Sequence, residues 1–333
     1  MSKLKIAIID TGVDIHDKEI KNFIRFDRNL QVDSFENEYI NIDDVNGHGT
    51  LCAKTIISIC NHVEIYPIKV FDNYGKTSSW KVVEVMKNLL NSDINIINIS
   101  ASTLNCPCVD EMSFICRELN KNGKIIICSH HNNKDAKLSI PTKFKEVIGV
   151  KGIDEIYNDI DYMYNPNNEI QMYSNSKDRL IKFKNNITHF GKNSRAAAIA
   201  TGLVADIMKN DINMNFKELE QTLIKNSISD KNYMKNGKIE KLLYNQDELE
   251  IISKLINIIN INFANISVDF KLLKKYNLFN NLTNIGKHNA YYFLEKINEN
   301  FSIDIDYGEV FLYELNSLDN IVGRIYSKLQ TDY

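Results

Sequence analysis

No stretch of the 333-residue chain is long and apolar enough to span a bilayer, because Asn, Lys and Asp interrupt every Ile-rich run. A secretory signal is missing as well. After Met1-Ser2-Lys3-Leu4-Lys5 the apolar run Ile6–Ile9 is too short for a signal core, and no small-residue cleavage site follows. The chain has no surplus of one charge. Its formal net charge is −3 with 25% charged residues, and the lysines are scattered singly, so neither nucleic acid nor an anionic membrane surface is offered a basic stripe. The six cysteines contain no CxxC pair. Cys106-Pro107-Cys108 and Cys116 have no second ligand pair at a zinc-like interval, which leaves them structural or incidental. These absences predict a cytoplasmic protein with reduced, mostly buried thiols, since cytosolic disulfides are rare. The length allows one sizeable core and a second small domain.

Strand-like and helix-like segments alternate through the first two-thirds of the chain. Strands are expected at Lys5–Ile9, Val63–Val70, Ile94–Ile99, Lys124–Cys128 and Val147–Val150. Helices are expected at Thr50–Ile59, Trp80–Leu90, Val109–Asn120, Ser194–Met208 and Phe216–Lys225. That alternation predicts an α/β fold, a parallel sheet flanked by helices on both faces. Around Ser229–Gln246 the chain turns polar and Asn/Lys-rich, which predicts a boundary between a domain of residues 1–240 and one of residues 246–333. Apolar stripes at Glu248–Ile261, Ala290–Phe301 and Leu318–Leu329 predict that the second domain is a small all-α bundle.

Three local patterns carry chemistry. Ile8-Ile9-Asp10-Thr11-Gly12 delivers Asp10 at the carboxyl end of an apolar strand, the edge of an α/β sheet where active sites collect. Many α/β proteins begin in this way, so the pattern alone is also consistent with an ordinary strand end. Asn46-Gly47-His48-Gly49-Thr50 places His48 between glycines at a helix start, where backbone can approach the imidazole closely. Gly191-Lys192-Asn193-Ser194-Arg195 opens an Ala-rich helix; Ser194 is either a simple N-cap or a nucleophile whose amide faces a developing negative charge. Base, orienting carboxylate and nucleophile are the parts that acyl transfer by a serine requires.

In motif content, Asp…His…Ser order and spacing, residues 4–230 resemble the subtilases, the subtilisin-like serine proteases. The resemblance implies a catalytic triad of Asp10, His48 and Ser194. It further implies that Asn132, at the end of Gly123–Asn132, donates to the oxyanion, with His130 and His131 replacing small residues beside it. Asn98-Ile99-Ser100 is similar to the family's substrate-pairing segment, which assigns Ser100, Ala101 and Ser102 to binding an extended peptide or protein substrate. The chain departs from the family at Lys192, generally Gly, at Arg195, usually Met, and at Ala198, usually Pro. The short loop between Ser58 and Val63 leaves no room for the calcium loop of many secreted relatives, and Glu19 alone offers one oxygen, so no metal or other cofactor is expected. Entry into the Asp10 strand within a few residues is the basis for expecting no inhibitory propeptide.

Phe263–Leu329 is weakly similar to a carrier-protein bundle, yet no serine lies between Ser267 and Ser302, and Asn281 or Lys287 stands nearest the prosthetic-group position. A loaded arm is therefore not expected; the bundle either binds a partner protein or peptide, or caps the protease. The sequence thus implies a cytoplasmic serine endopeptidase that matures a specific peptide, for example by removing a leader. A pseudo-protease scaffold is the competing reading, motivated by the altered surroundings of Ser194.

Overall fold

The structure is a computed structural model that describes residues 2–32, 42–133, 139–228 and 243–331. Most of the expected boundary at Ser229–Gln246 lies outside the described residues. The chain divides into two compact units, Met1–Ser176 with Gly191–Lys235, and Lys177–Phe190 with Asn236–Tyr333.

The first unit is built on a seven-stranded sheet. Its strands are β1 (Leu4–Asp10), β2 (Val63–Lys69), β3 (Ile96–Ile99), β4 (Ile125–Ser129), β5 (Val147–Ile153), β6 (Tyr162–Tyr164) and β7 (Met172–Asn175). They lie in the order β2-β1-β3-β4-β5-β7-β6. All neighbours are parallel except β6, which runs antiparallel to β7 at the edge. Helices α1 (His48–Ile59), α2 (Ser79–Leu89), α3 (Val109–Lys121), α4 (Lys192–Met208) and α5 (Phe216–Asn226) accompany it. The uninterrupted apolar run of β1, buried along nearly its whole length, is what a central parallel strand covered on both faces needs. Because β2 pairs on one side of β1 and β3 on the other, the chain reverses its progress along the sheet there, and a crevice opens at the carboxyl ends of β1 and β3.

Helix α4 is lined by Ala196, Ala197, Ala198 and Ala200, all fully buried. Small side chains let a helix run through the interior beside the sheet without a bulky face to place. All six cysteines are free and buried.

In the second unit, helices at Gln246–Asn262, Phe270–Lys275, Ala290–Phe301, Leu312–Leu315 and Leu318–Thr331 surround a core that includes Leu255, Phe293, Ile297 and Ile321. A capping box between Asn245 and Glu248 starts the first of them. This unit is not drawn from the carboxyl-terminal residues alone. An antiparallel hairpin, β8 (Arg179–Phe183) and β9 (Asn186–Phe190), belongs to it. Leu180 joins the helical core, the guanidinium of Arg179 lies 4.5 Å from the centre of the Phe311 ring, and the Leu312 amide donates to the Asp178 carbonyl at 2.9 Å. Burial opposes ionisation of Asp178, but hydrogen bonds from His189 and Lys287 outweigh it and hold the carboxyl at about 2.

Candidate active site

Asp10 ends β1 and is buried, and His48 opens α1. The imidazole Nδ1 lies 2.8 Å from Asp10 Oδ1 and 3.0 Å from Oδ2. A carboxylate only accepts, so the proton sits on Nδ1 and the neutral ring presents Nε2 as a base. Thr11 N donates to Asp10 Oδ1 at 2.8 Å and fixes the carboxylate's rotation. Gly49 is required by contact: a Cβ there would meet the Gly12 carbonyl oxygen at 2.1 Å and the Asp10 Cβ at 3.1 Å. Burial works against protonation of His48, but the adjacent Asp10 charge prevails and lifts its pKa well above 6.5. The Cys52 thiol lies behind the pair, 3.7 Å from Asp10 Oδ2, and burial pushes its own pKa up, so it remains a neutral thiol.

One fully buried carboxylate ties the two motifs together. Asp44 accepts from the Thr11 hydroxyl at 2.9 Å, Gly47 N at 2.7 Å, Thr50 N at 2.9 Å and the Thr50 hydroxyl at 2.7 Å. The Thr11 oxygen in turn accepts from Gly49 N at 3.0 Å. The loop after β1 and the start of α1 are thereby one hydrogen-bonded body. Sequence reasoning passed over Asp44; an Asp three residues before a Gly-His helix start is its only local signal.

Ser194 is the third residue of α4, among the first-turn amides that a helix leaves without an internal partner. Its hydroxyl donates to the Ser100 carbonyl at 3.1 Å. The Ser100 hydroxyl accepts from Asn98 Nδ2 at 3.0 Å, and Asn98 Oδ1 accepts from the Thr201 hydroxyl at 2.9 Å, so β3 and the residue after it are fastened to α4 at two levels. Lys192, at the position where the resemblance leads one to expect glycine, adopts φ 60, the left-handed region in which a side chain costs about 1–2 kcal/mol. Arg195 is buried and pairs with Asp159, Nη2 to Oδ2 2.5 Å, while Asp159 Oδ1 accepts from Asn175 at 2.8 Å. The cation beside Ser194 is therefore neutralised within the protein.

A cleft of about 380 Å³ gathers Asp10, His48, Ser100, Ala101, Ser102 and Asn132 on its walls, at the carboxyl ends of β1, β3 and β4. Of the seven site residues expected from sequence only Ser194 is not on that lining; it is buried, and its hydroxyl donates to the carbonyl of Ser100, which is. Asn132 is exposed on the turn after β4. Elsewhere in this unit, Glu19 does not stand alone: the buried Lys54 ammonium lies 3.0 Å from Glu19 Oε2 and 2.8 Å from Asp17 Oδ2, a cation of the chain's own beside those carboxylates.

A carboxylate-oriented imidazole on a cleft at the switch point of a parallel sheet, with a helix-borne serine hydroxyl bonded to the Ser100 carbonyl at its wall, is an arrangement that fits a serine hydrolase of α/β architecture. The Subtilase family's sequence profile matches residues 1–248, and the chain belongs to that family of serine proteases. The major intracellular serine protease of Bacillus subtilis (strain 168) is 26% identical over 221 residues, 61% of this chain and 67% of that one. Subtilisin Savinase of Lederbergia lenta is 23% identical, over 46% of this chain and 57% of its own length. The chain thus spans about two-thirds of the first and little more than half of the second. Among solved structures, a cold-adapted subtilisin-like serine proteinase superposes with a TM-score of 0.56 at 16% identity, covering 69% of this chain and 85% of that one. A lanthipeptide protease superposes with a TM-score of 0.54 at 18% identity, covering 67% and 79%. At those identities the structural likeness speaks for the fold.

Proposed function

We propose that the protein is a cytoplasmic processing endopeptidase that cuts a specific peptide or protein, removing a leader segment, with Asp10, His48 and Ser194 as its triad. The observation that carries the reading is the Asp10–His48 pair, 2.8 Å apart, on the cleft that Ser100 joins to the Ser194 hydroxyl. Substrate lies extended along Ser100–Ser102. The Ser194 hydroxyl turns from the Ser100 carbonyl to His48 Nε2, gives up its proton there, and its oxygen attacks the scissile carbonyl carbon. The oxyanion accepts from Asn132 Nδ2 and the Ser194 amide, charge that exists only once the bond has formed. His48 then passes its proton to the departing amine, leaving an acyl-enzyme that water hydrolyses by the same route. Two similar proteins support the restricted, intracellular role: an intracellular serine protease and a lanthipeptide protease. The second unit serves as a recognition module for the peptide or a partner protein.

A fluorophosphonate probe should label the wild type, whereas Ser194→Ala should not label and His48→Ala should label thousands of times more slowly, because triad members act as a unit. A pseudo-protease scaffold would leave the wild type unlabelled. Incubated with a leader-bearing precursor peptide and with casein, the active enzyme should yield one discrete cut in the former by mass spectrometry and little digestion of the latter. General digestion of casein would overturn the restricted role.

A further inference from the structure

Asn193, the residue before the nucleophile, occupies a position whose chemistry the triad does not use. Its side chain is buried and makes three hydrogen bonds to two neighbouring strands' ends. Oδ1 accepts from Gly152 N at 2.8 Å, and Nδ2 donates to the His130 carbonyl at 3.0 Å and the His131 carbonyl at 3.1 Å. The partners fix which way round the carboxamide sits: one N–H donor faces the oxygen and two carbonyls face the nitrogen, and a flipped amide would lose all three bonds. Aspartate would turn a charged oxygen on two carbonyls, and serine or threonine has one proton to share between them.

The same residue also reaches Asn132 through its backbone. Asn193 N lies 3.4 Å from Asn132 Oδ1, a long contact that nonetheless engages the oxygen and leaves Nδ2 as the end of the Asn132 amide available to substrate. Asn132 is exposed, and an exposed side chain on a turn has rotamer freedom that must be lost before it can receive an oxyanion. Oxyanion stabilisation depends on donors being in place before charge develops, to within about half an ångström. Asn193 holds the carbonyls of His130 and His131 through its side chain and the Asn132 amide through its backbone N–H, and it is covalently joined to Ser194.

We propose that Asn193 is a positioning residue of the reaction, which sets the path of His130 and His131 and the orientation of Asn132 relative to the Ser194 nucleophile. The proposal rests on the reading of Ser194 as nucleophile and Asn132 as oxyanion donor. It predicts that the effect of losing Asn193 passes through Asn132, a coupling that a general structural role would not show.

The test is a double-mutant cycle with Asn193→Ala and Asn132→Ala, reading the second-order rate of labelling by a fluorophosphonate, whose phosphoryl oxygen takes the oxyanion's place. Melting temperature is measured alongside, and Asn193→Thr, which keeps one donor and the helix start, replaces the alanine variant if that fails to fold. Asn193→Ala should slow labelling 10- to 100-fold in the otherwise native enzyme and less than 3-fold once Asn132 is alanine. Equal losses in both backgrounds, or no loss in the native one, overturn the positioning role while leaving the nucleophile in place. A wild type that does not label at all overturns the nucleophile reading and this proposal together.

Discussion

Asp10 and His48 are joined by residues from one stretch of chain, Asp10 to Cys52, whereas Ser194 is seated by residues that range from Asn98 to Thr201. On the acid–base side a single buried carboxylate, Asp44, gathers four donors from the two motifs it joins. On the nucleophile side the support is distributed: Ser100 and Asn98 from β3 and the segment after it, the carbonyls after β4, Gly152 on β5, and the Arg195–Asp159 ion pair. The residues that depart from the expected pattern, Lys192, Arg195 and Ala198 on α4 and His130 and His131 after β4, all fall on this second side. A half-site organised by one central group tolerates little change within it, while one built from many separate contacts can exchange a member when a neighbour compensates, as Asp159 does for Arg195.

The largest break in the comparison is Asp10→Asn. It keeps the shape but reverses the hydrogen bond that fixes the His48 tautomer, and kcat should fall by about 10⁴. The same pair sets the pH profile. In the proposed triad only neutral His48 acts as a base, so kcat/KM should rise as pH climbs through a value above 6.5, and a pH–rate profile with its half-point at or below 6.5 would contradict the Asp10 influence. The sign for stability is opposite. A pKa raised by folding contributes stability that is fully present below 6.5 and is lost as pH rises through the folded value.

Asp44→Ala comes next. It strands Gly47 N and Thr50 N and both threonine hydroxyls in a buried site, which should cost about 3 kcal/mol in a urea unfolding curve. A loss under about 1 kcal/mol would show that the acid–base side is no more centralised than the other.

The smallest effect is expected on the nucleophile side. Lys192→Gly removes the left-handed strain but adds freedom to the unfolded chain, so the net gain should be about 0.5 kcal/mol, a small rise in Tm. A clear fall in Tm would mean that the lysine side chain has a role beyond its backbone.

Much of both units is legible in the sequence. In the first, the strands at Lys5–Ile9 and Val63–Val70 are each within one residue of β1 and β2; in the second, the helix expected at Ala290–Phe301 has those bounds. Helix α4 begins at Lys192, two residues ahead of the expected start at Ser194, because an N-terminal boundary depends on capping geometry that composition barely marks. The short strands β6 to β9 went unread. Segments such as Arg179–Phe183, with mixed burial and no clean alternation, have too weak a period to be told from loop.

What the sequence by itself determined is what local chemistry can carry: the alternating elements, the Asp10 strand end, the glycine-flanked His48 and the serine-bearing helix. Periodicity and backbone freedom act over a few residues and leave their mark in the order of the letters. Only the tertiary structure decided that Asp44 binds two motifs into one body and that the hairpin before Ser194 belongs with helices that begin only at Gln246. It also decided that Asn193 meets Gly152, His130 and His131. Each of these is a contact between residues distant in sequence, and a hydrogen bond gains its strength from distance and direction in space, which no single stretch of chain contains.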